Sequence, residues 1–361
     1  FTDQDTPGRA LPLGVVSAAL TGFDLDDARE NSRNNRLLLA ALAQIRDQVD
    51  QALKAHPSHR IGIILGTSTS GIGDAERAFA EREADSPLPS WYHYQQQEMG
   101  GPARFLARYL GTTGPALTIS TACSSGAKAL ASARRLILTG VCDVVICGGV
   151  DTLCRLTVNG FSALDSVSDT TCNPFSHNRN GINIGEAACL FVMSQRESPV
   201  ALAGAGETSD AHHISAPHPE GRGARGAMLA ALDDAGLAPD AIDYLNLHGT
   251  ATPQNDRMES LAVTSVFGET LPCSSTKPLT GHTLGAAGAL EAAFCWLSLT
   301  GGALPTHWWD AEEDPDMPSL TLVSPDQAGK GLIPRNVLSN SFAFGGNNIA
   351  LVLSATGEEQ R

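Results

Sequence analysis

Cys123 is the residue of this sequence best placed to act as a nucleophile. It lies between a predicted strand over 116–119 and a predicted helix over 124–138, with small residues on both sides. Small neighbours allow a sharp turn that leaves the sulfur accessible. The helix dipole favours a thiolate there, and N–H groups of the turn can bind an acyl oxygen. The alternative is that Cys123 is one buried thiol among the eight cysteines of the chain.

Two histidines stand where an imidazole ring could meet a reacting group. His248 follows a predicted strand over 242–247 and precedes a turn rich in Gly and Thr, and His282 begins a predicted apolar helix over 281–300. A helix N-terminus disfavours imidazolium, so His282 is expected to stay neutral and to donate a hydrogen bond. One such histidine alone is often structural, but two in similar settings favour a shared catalytic role.

Glu291 is a carboxylate in a helix that otherwise consists mainly of Ala, Leu, Gly and Phe. Burying an unpaired carboxylate costs on the order of several kcal/mol, so Glu291 needs a partner. Lys277 is the nearest cation in sequence and is the predicted partner. The alternative is an ion pair with a purely structural role.

The segment 341–348 places Phe342 and Phe344 beside a Gly-Gly turn. Such a segment could form a mobile wall of an apolar tunnel with free N–H groups nearby. The alternative is a turn whose aromatic rings fill the core.

Composition excludes several classes of function. The formal net charge of −15 argues against broad nucleic-acid binding, which needs a basic surface. The cysteines show no CxxC spacing and no histidine pair lies at a metal-ligand interval, so no metal site is expected. No secretory signal is visible, which predicts a reducing, cytoplasmic setting. The apolar stretch 283–299 contains Glu291 and several glycines, so a buried helix is expected and not a membrane span.

The elements that position these residues alternate between strand and helix. A first helix is predicted over 24–55, capped by Asp24 or Asp26, and a buried strand over 61–65. Strand, turn, helix and strand over about 116–147 form a βαβ unit, which indicates an α/β fold with a parallel sheet. A helix over 227–236 and a closing strand over 349–353 belong to a second half. The predicted halves are 1–197, with the nucleophile, and 198–361, with both histidines.

Taken together these segments resemble the β-ketoacyl-acyl carrier protein synthases of the I/II class, which have the thiolase fold. The resemblance covers nearly the whole chain and is carried by residues 121–126, 173–186, 248–256, 277–291 and 342–348. It implies a five-layer αβαβα architecture with two related halves, and a dimer. The first strand and the following helix of the family have no counterpart before Phe1.

The resemblance also implies roles for the reactive residues. Cys123 would accept the acyl chain, and His248 and His282 would stabilise the enolate left when a malonyl unit loses CO2. Lys277 would orient this group, with Glu291 and Asp210 as its partners. No resident cofactor is expected, because the substrates travel on the phosphopantetheine arm of an acyl carrier protein.

Further residues would bind the substrate in a family member. Thr250 and Thr252 would bind the phosphopantetheine arm, and Phe342 would contact the substrate. Phe344 would act as a gate, and its N–H would join that of Cys123 in an oxyanion hole. Ala75 would stand where a bulky divider of the acyl pocket is common, which predicts an open tunnel.

A group of arginines is the predicted docking patch for the acidic carrier protein. Arg29, Arg33 and Arg36 cluster at the start of the first helix, and Arg179 is expected near the mouth of the site. The alternative is an ordinary solvated helix face. The second subunit of the dimer would be an identical chain or a chain-length factor.

Two other functions compete with a condensing synthase. A thiolase would carry a second catalytic cysteine near the C-terminal Gly-rich turn, where this chain has Phe344 and no cysteine. A catalytically silent chain-length factor usually lacks the nucleophile, which Cys123 supplies here. The sequence leaves open whether the product is a fatty acid or a polyketide such as an aryl polyene.

Overall fold

The computed structural model describes residues 2–3, 6, 8–20, 22, 25–328 and 333–357. The elements of the first half are α1 (Arg33–Gln44), α2 (Arg46–Ala55), β1 (Ile61–Gly66), α3 (Ile72–Glu81), α4 (Gly101–Leu110), β2 (Ala116–Ile119), α5 (Ser125–Leu138), β3 (Val144–Asp151), α6 (Arg155–Ala163) and β4 (Ala187–Ser194). Those of the second half are β5 (Val200–Ser209), α7 (Arg222–Ala235), β6 (Tyr244–Asn246), α8 (Pro253–Phe267), β7 (Pro272–Ser274), α9 (Lys277–Thr280), α10 (Ala287–Gly301), β8 (Thr321–Leu322), β9 (Asn336–Ala343) and β10 (Asn347–Ala355).

The first helix begins later than the sequence predicts. Ser32 caps α1, and its side chain accepts the N–H of Asn35. Before it the chain turns, because the Asp27 side chain accepts the backbone N–H of Arg29 at 2.9 Å and so competes with helix formation. Asp26 therefore caps no helix, and Asp24 lies outside the described residues. A break at Ile45 separates α1 from α2.

Each half contains a sheet of the same plan. The first sheet has the order β2-β1-β3-β4, in which β4 is antiparallel to the other three strands. The second sheet has the order β5-β10-β9-β6-β7-β8, in which β10 is antiparallel to β9. The run β7-β6-β9-β10 repeats the order and the directions of β2-β1-β3-β4, so the two halves are related.

Two helices, α5 and α10, fill the layer between the sheets, with α1 and α4 outside the first sheet and α7 and α8 outside the second. This gives five layers, as expected. The central helices approach closely: a Cβ on Gly126 would lie 2.8 Å from the backbone nitrogen of Ala289, and one on Gly288 would lie 2.7 Å from the Cβ of Ala127. Only glycine fits at these two positions.

The apolar segment Leu284–Gly301 is, among the described residues, the one helical stretch long and apolar enough to cross a bilayer. Most of it is buried between the sheets, which is the setting of a core helix. The predicted helix over 281–300 is divided, because Gly281 has a φ of +70° and a 3₁₀ turn over Leu284–Ala286 precedes α10.

Candidate active site

Cys123 lies in a tight turn between β2 and the start of α5. Ala122 adopts a left-handed conformation with a φ of +51°, which a small side chain tolerates best. The turn is fixed by Ser125, whose Oγ donates to the carbonyl of Ala122 at 2.6 Å and accepts the N–H of Thr121 at 2.9 Å. The predicted elbow is present, and it directs the thiol into the interior.

His282 contacts the nucleophile directly. Its Nε2 atom lies 2.9 Å from the Sγ of Cys123. The residue is fixed by its own backbone, because its N–H donates to the carbonyl of Asn183 at 2.6 Å and its carbonyl accepts the N–H of Gly185 at 2.9 Å. The His248 and His282 rings meet edge to face with centroids 5.4 Å apart. Two residues 159 positions apart in sequence thus share one reacting centre.

His248 is held by its peptide groups just beyond β6. Both carboxylate oxygens of Glu259 accept backbone N–H groups, from His248 and from Gly249, each at 2.8 Å. The ammonium of Lys277 donates to the carbonyl of His248. Gly249 has a φ of +38° and has no room for a side chain. These contacts leave the His248 ring free to face the cavity.

Lys277 and Glu291 form a buried ion pair, as the sequence predicts, in which the ammonium donates to Glu291 Oε1. The proposed partnership of Asp210 with Lys277 is wrong. Asp210 instead accepts the N–H of His218 at 2.9 Å and the side-chain amide of Asn348 at 2.8 Å. It therefore braces the loop after β5, not the lysine.

The aromatic segment after β9 forms one wall of the site. The Phe344 ring packs against Phe161 with centroids 5.3 Å apart, and Phe342 meets His248 edge to face at 6.1 Å. Gly345 and Gly346 have φ values of +82° and +73°. The backbone N–H groups of Cys123 and Phe344 lie close enough to the Cys123 sulfur to act on its pKa, as expected of groups that form an oxyanion hole.

A cavity of about 230 Å³ opens onto these groups. Apolar side chains and short polar side chains share its wall, which includes Cys123, Phe161, Ile182, His248, Thr250, Thr252, Gln254, His282, Phe342 and Phe344. The hydroxyls of Thr250 and Thr252 lie 3.0 Å apart. The cavity can therefore hold an acyl group on the sulfur and a polar arm beside the threonines.

Two family models cover most of the chain. The one described as "Beta-ketoacyl synthase, N-terminal domain" matches residues 14–198, and the one described as "Beta-ketoacyl synthase, C-terminal domain" matches residues 200–308. The chain belongs to the β-ketoacyl synthase family. It is accordingly an enzyme of the acyltransferase class with the thiolase-like fold.

Individual relatives agree with this synthase family. The 3-oxoacyl-[acyl-carrier-protein] synthase 2 of Staphylococcus aureus is 33% identical over 363 residues, covering 93% of this chain and 89% of that protein. A ketosynthase (ApeO) solved in complex with its chain length factor (ApeC) from Xenorhabdus doucetiae is 50% identical with a TM-score of 0.91, covering 97% of this chain and 88% of that one. The ishigamide ketosynthase/chain length factor is 29% identical with a TM-score of 0.83, covering 91% and 83%.

The acidity of the synthase nucleophile differs from the expectation. Burial raises the pKa of the Cys123 thiol to about 12, although Lys277 and the N–H groups of Phe344 and Cys123 act in the opposite direction. The prediction of a lowered pKa at the helix start is wrong, because desolvation by burial outweighs the effects of Lys277 and of the two N–H groups. The thiol consequently needs a proton acceptor when it reacts.

Both cavity histidines are neutral, which was expected for His282 alone, and the cause is burial and not the helix N-terminus. Burial lowers the pKa of His248 and of His282 well below the usual value, and the charge of Lys277 lowers both further. The ligand atoms of the two rings and of Cys123 lie within 4.8 Å of one another, a set that could also hold a metal ion. The adjacent ammonium opposes a divalent cation there, and the absence of a metal stays a prediction.

Ala75 does not belong to the described wall of the cavity. It is buried on α3, and the neighbouring Asp74 accepts the backbone N–H of Arg33 at 2.7 Å. Asp74, the alternative to Ala75 in sequence, therefore binds the start of α1. The sequence could not show this, because the partner segment lies 41 residues away.

Three arginines of the predicted docking patch form ion pairs within the chain, and the fourth is half-buried. Arg33 pairs with the buried Glu186, and Arg29 pairs with Asp27. Arg179 is nearly buried and pairs with Asp314 at 2.5 Å. Arg36 is half-buried on α1. Arg33 and Arg179 thus stabilise contacts within the synthase, Arg29 stays exposed, and docking of a carrier at this patch stays a prediction.

Sequence reasoning gave no role to Glu259. The sequence pattern could have identified Glu259, because it is an acidic residue on the buried face of α8, next to Met258 and one turn before Val263. An unpaired carboxylate at such a position needs partners, by the argument that identified Glu291. The partners here are backbone N–H groups, which sequence patterns do not display.

Proposed function

We propose that this protein condenses an acyl chain held on Cys123 with a malonyl unit carried on an acyl carrier protein, releasing CO2. The observation that carries the proposal is the contact of Cys123 Sγ with His282 Nε2 at 2.9 Å, in a cavity that also presents His248. Covalent capture divides the chemistry into a loading step and a condensation step.

In loading, the Cys123 sulfur attacks the thioester carbon of the incoming acyl carrier. The resulting oxyanion receives the N–H groups of Cys123 and Phe344, and its collapse breaks the bond to the carrier sulfur. The thiol proton passes to that departing sulfur. His282 is the group placed to relay it, since the raised pKa of Cys123 disfavours a free thiolate.

In condensation, the malonyl carboxylate leaves as CO2 and its bonding electrons form an enolate. The neutral rings of His248 and His282 donate hydrogen bonds to the enolate oxygen, which lowers the barrier in a site closed to water. The enolate carbon then attacks the acyl-Cys123 carbonyl. The C–S bond breaks, the β-ketoacyl carrier leaves, and the Cys123 thiolate takes up a proton from water to regenerate the thiol.

A second subunit is part of the proposal. The outer edge of β2 carries no further strand among the described residues, and Leu117 on this strand is 54% exposed. An unpaired strand edge is a template for pairing with another chain. The ketosynthase from Xenorhabdus doucetiae was solved with its chain length factor, which supports a heterodimer of this kind here. A homodimer is the alternative, and native mass spectrometry of the protein alone and co-expressed with its candidate partner distinguishes them.

The product is proposed to be a polyketide-type chain such as an aryl polyene, made in the cytoplasm. The 50% identity to that ketosynthase, against 33% to the Staphylococcus aureus synthase, supports this choice over ordinary fatty acids. A thiolase role is disfavoured, because Cys123 is the one cysteine among the residues described as lining the cavity.

The deciding experiment is peptide mass spectrometry after incubation with acyl carriers of different chain lengths and unsaturation, without malonyl carrier. An acyl adduct on Cys123 that disappears when malonyl carrier is added, with a β-ketoacyl carrier appearing, supports the proposal. The Cys123→Ala variant should form neither species. Product formation by that variant, or an adduct that persists with malonyl carrier present, contradicts it.

A further inference from the structure

A third histidine, His307, lies between α10 and β8 and outside the described wall of the cavity. It is 2% exposed. Its Nδ1 accepts the N–H of Ser275 at 3.0 Å, and its Nε2 lies 3.0 Å from the carbonyl oxygen of Pro174. A carbonyl only accepts and a backbone N–H only donates, so the ring is neutral with its proton on Nε2. Both nitrogens are used to join two distant chain segments.

These two segments close on the glycine that follows His248. Ser275 Oγ donates to the carbonyl of Gly249 at 2.7 Å. A Cβ on Gly249 would lie 2.5 Å from the Cβ of Ser275 and 2.9 Å from the Phe175 ring. The Phe175 ring also packs against His307, with centroids 6.1 Å apart. His307 therefore sets the width of the slot that holds Gly249.

The same turn carries Lys277. The Lys277 N–H lies 3.4 Å from Ser275 Oγ, and its ammonium donates to the His248 carbonyl. A displacement of Ser275 would therefore move the His248 peptide in two ways, through the Gly249 carbonyl and through Lys277. Cys123, in contrast, is fixed by hydrogen bonds within its own turn.

We propose that His307 is a positioning residue for the malonyl half-reaction. By joining Ser275 to Pro174 it fixes Gly249, and through Gly249 and Lys277 it fixes the His248 ring relative to the Cys123 sulfur. This inference rests on the proposed function of those cavity residues. A change at His307 should therefore impair decarboxylation selectively, because decarboxylation needs the His248 ring in place and loading of Cys123 does not.

The test compares the two half-reactions in His307→Leu, which removes both hydrogen bonds and keeps much of the side-chain volume. Release of CO2 from malonyl carrier should fall about tenfold or more, since misplacing a catalytic group by about 1 Å can cost 10²-fold. Loading of Cys123, followed by mass spectrometry, should stay within about twofold of the wild-type rate. His307→Gln keeps one acceptor and one donor and should recover part of the decarboxylation.

Val323→Ala is the matched control for lost packing. Val323 is buried beside the same turn, and its backbone carbonyl accepts the backbone N–H of His307 at 2.8 Å. This variant should lower Tm while leaving the ratio of decarboxylation to loading unchanged. Equal loss of both half-reactions in His307→Leu, wild-type rates for both, or no recovery in His307→Gln would overturn the inference.

Should His307→Leu fail to fold, Ser275→Ala decides the question, because it removes the hydroxyl that bonds the Gly249 carbonyl and the Lys277 N–H and leaves the His307 ring in place. A lower ratio of decarboxylation to loading supports the inference, and an unchanged ratio overturns it. Failure of the proposed function itself looks different, because wild-type protein would then show no acyl-Cys123 and no CO2 release.

Discussion

Glu259 binds the backbone of His248 and not the His248 ring: Glu259 Oε1 accepts the backbone N–H of His248 at 2.8 Å. The second oxygen accepts the N–H of Gly249, and Asn340 donates to the same carboxylate at 3.2 Å. The carboxylate is fully buried, and burial raises the pKa of Glu259 to about 7 despite these donors. Glu259, which does not contact substrate, therefore makes the support of His248 sensitive to pH.

The first prediction follows from this raised pKa. Between about pH 4.5 and about 7 the unfolded chain loses the Glu259 proton while the folded protein keeps it, so the free energy of unfolding falls as pH rises through this window. Above about 7 the contribution is constant. The loss is on the order of 3 kcal/mol, at about 1.4 kcal/mol per pKa unit.

Urea unfolding of wild type and Glu259→Gln at a series of pH values measures this effect. The difference in unfolding free energy between wild type and variant should shrink or reverse in sign as pH rises to about 7, and then level off. A difference that does not depend on pH would show that Glu259 titrates at its ordinary value.

The second prediction separates the two cavity histidines. His248→Ala should slow CO2 release from malonyl carrier by about 10²–10³ and leave loading of Cys123 nearly intact, because one enolate donor is lost. His282→Ala should slow both steps, because Nε2 also contacts the sulfur. Single-turnover assays of each half-reaction provide the measurement. Equal behaviour of the two variants would contradict the division of roles.

The third prediction concerns the reactivity of Cys123. Because its pKa is raised to about 12, the rate of alkylation by iodoacetamide should climb about tenfold per pH unit between pH 7 and 9. It should still react before the other cysteines, since it lines the cavity. Peptide mapping by mass spectrometry follows each thiol. A rate at Cys123 that is already maximal at pH 7 would mean that a thiolate is present at rest.

The fourth prediction concerns a second candidate docking surface for the carrier. Arg225 on α7 and Arg257 on α8 are exposed and have no carboxylate partner among the described residues. Arg257 lies one turn beyond Gln254, which lines the cavity, and the two helices pack together near Gly221 and Met258. On a chain of net charge −15 this is a suitable place for an acidic carrier to dock.

Reversing Arg225 and Arg257 to Glu should raise KM severalfold for carrier-bound substrates and leave small thioester mimics unaffected. Arg196→Glu, an exposed arginine after β4, is the control. Arg33→Glu should instead lower Tm, because it breaks the pair with Glu186. Similar KM changes for carriers and mimics in the double variant would rule out docking at this face.

The sequence predicted the features that depend on local pattern and missed those that depend on distant partners. The elbow at Cys123 and the Lys277–Glu291 pair were readable, because small residues at a strand end and a charge on an apolar helix are local signals. The pair of Arg33 with Glu186 was not predicted, because the two residues lie 153 positions apart. The pKa of Cys123 was misjudged because burial is a property of the assembled layers and not of the turn.

The contact between α5 and α10 at Gly126 and Gly288 has a consequence for the site as a whole. Cys123 precedes α5 and His282 precedes α10, so the separation of the two helix axes determines the distance between the sulfur and the imidazole. A methyl group added at either glycine would increase this distance without touching a reacting atom. The first half of the chain contributes Cys123 and the second contributes both histidines. The reaction therefore requires that the two halves pack at this helix separation.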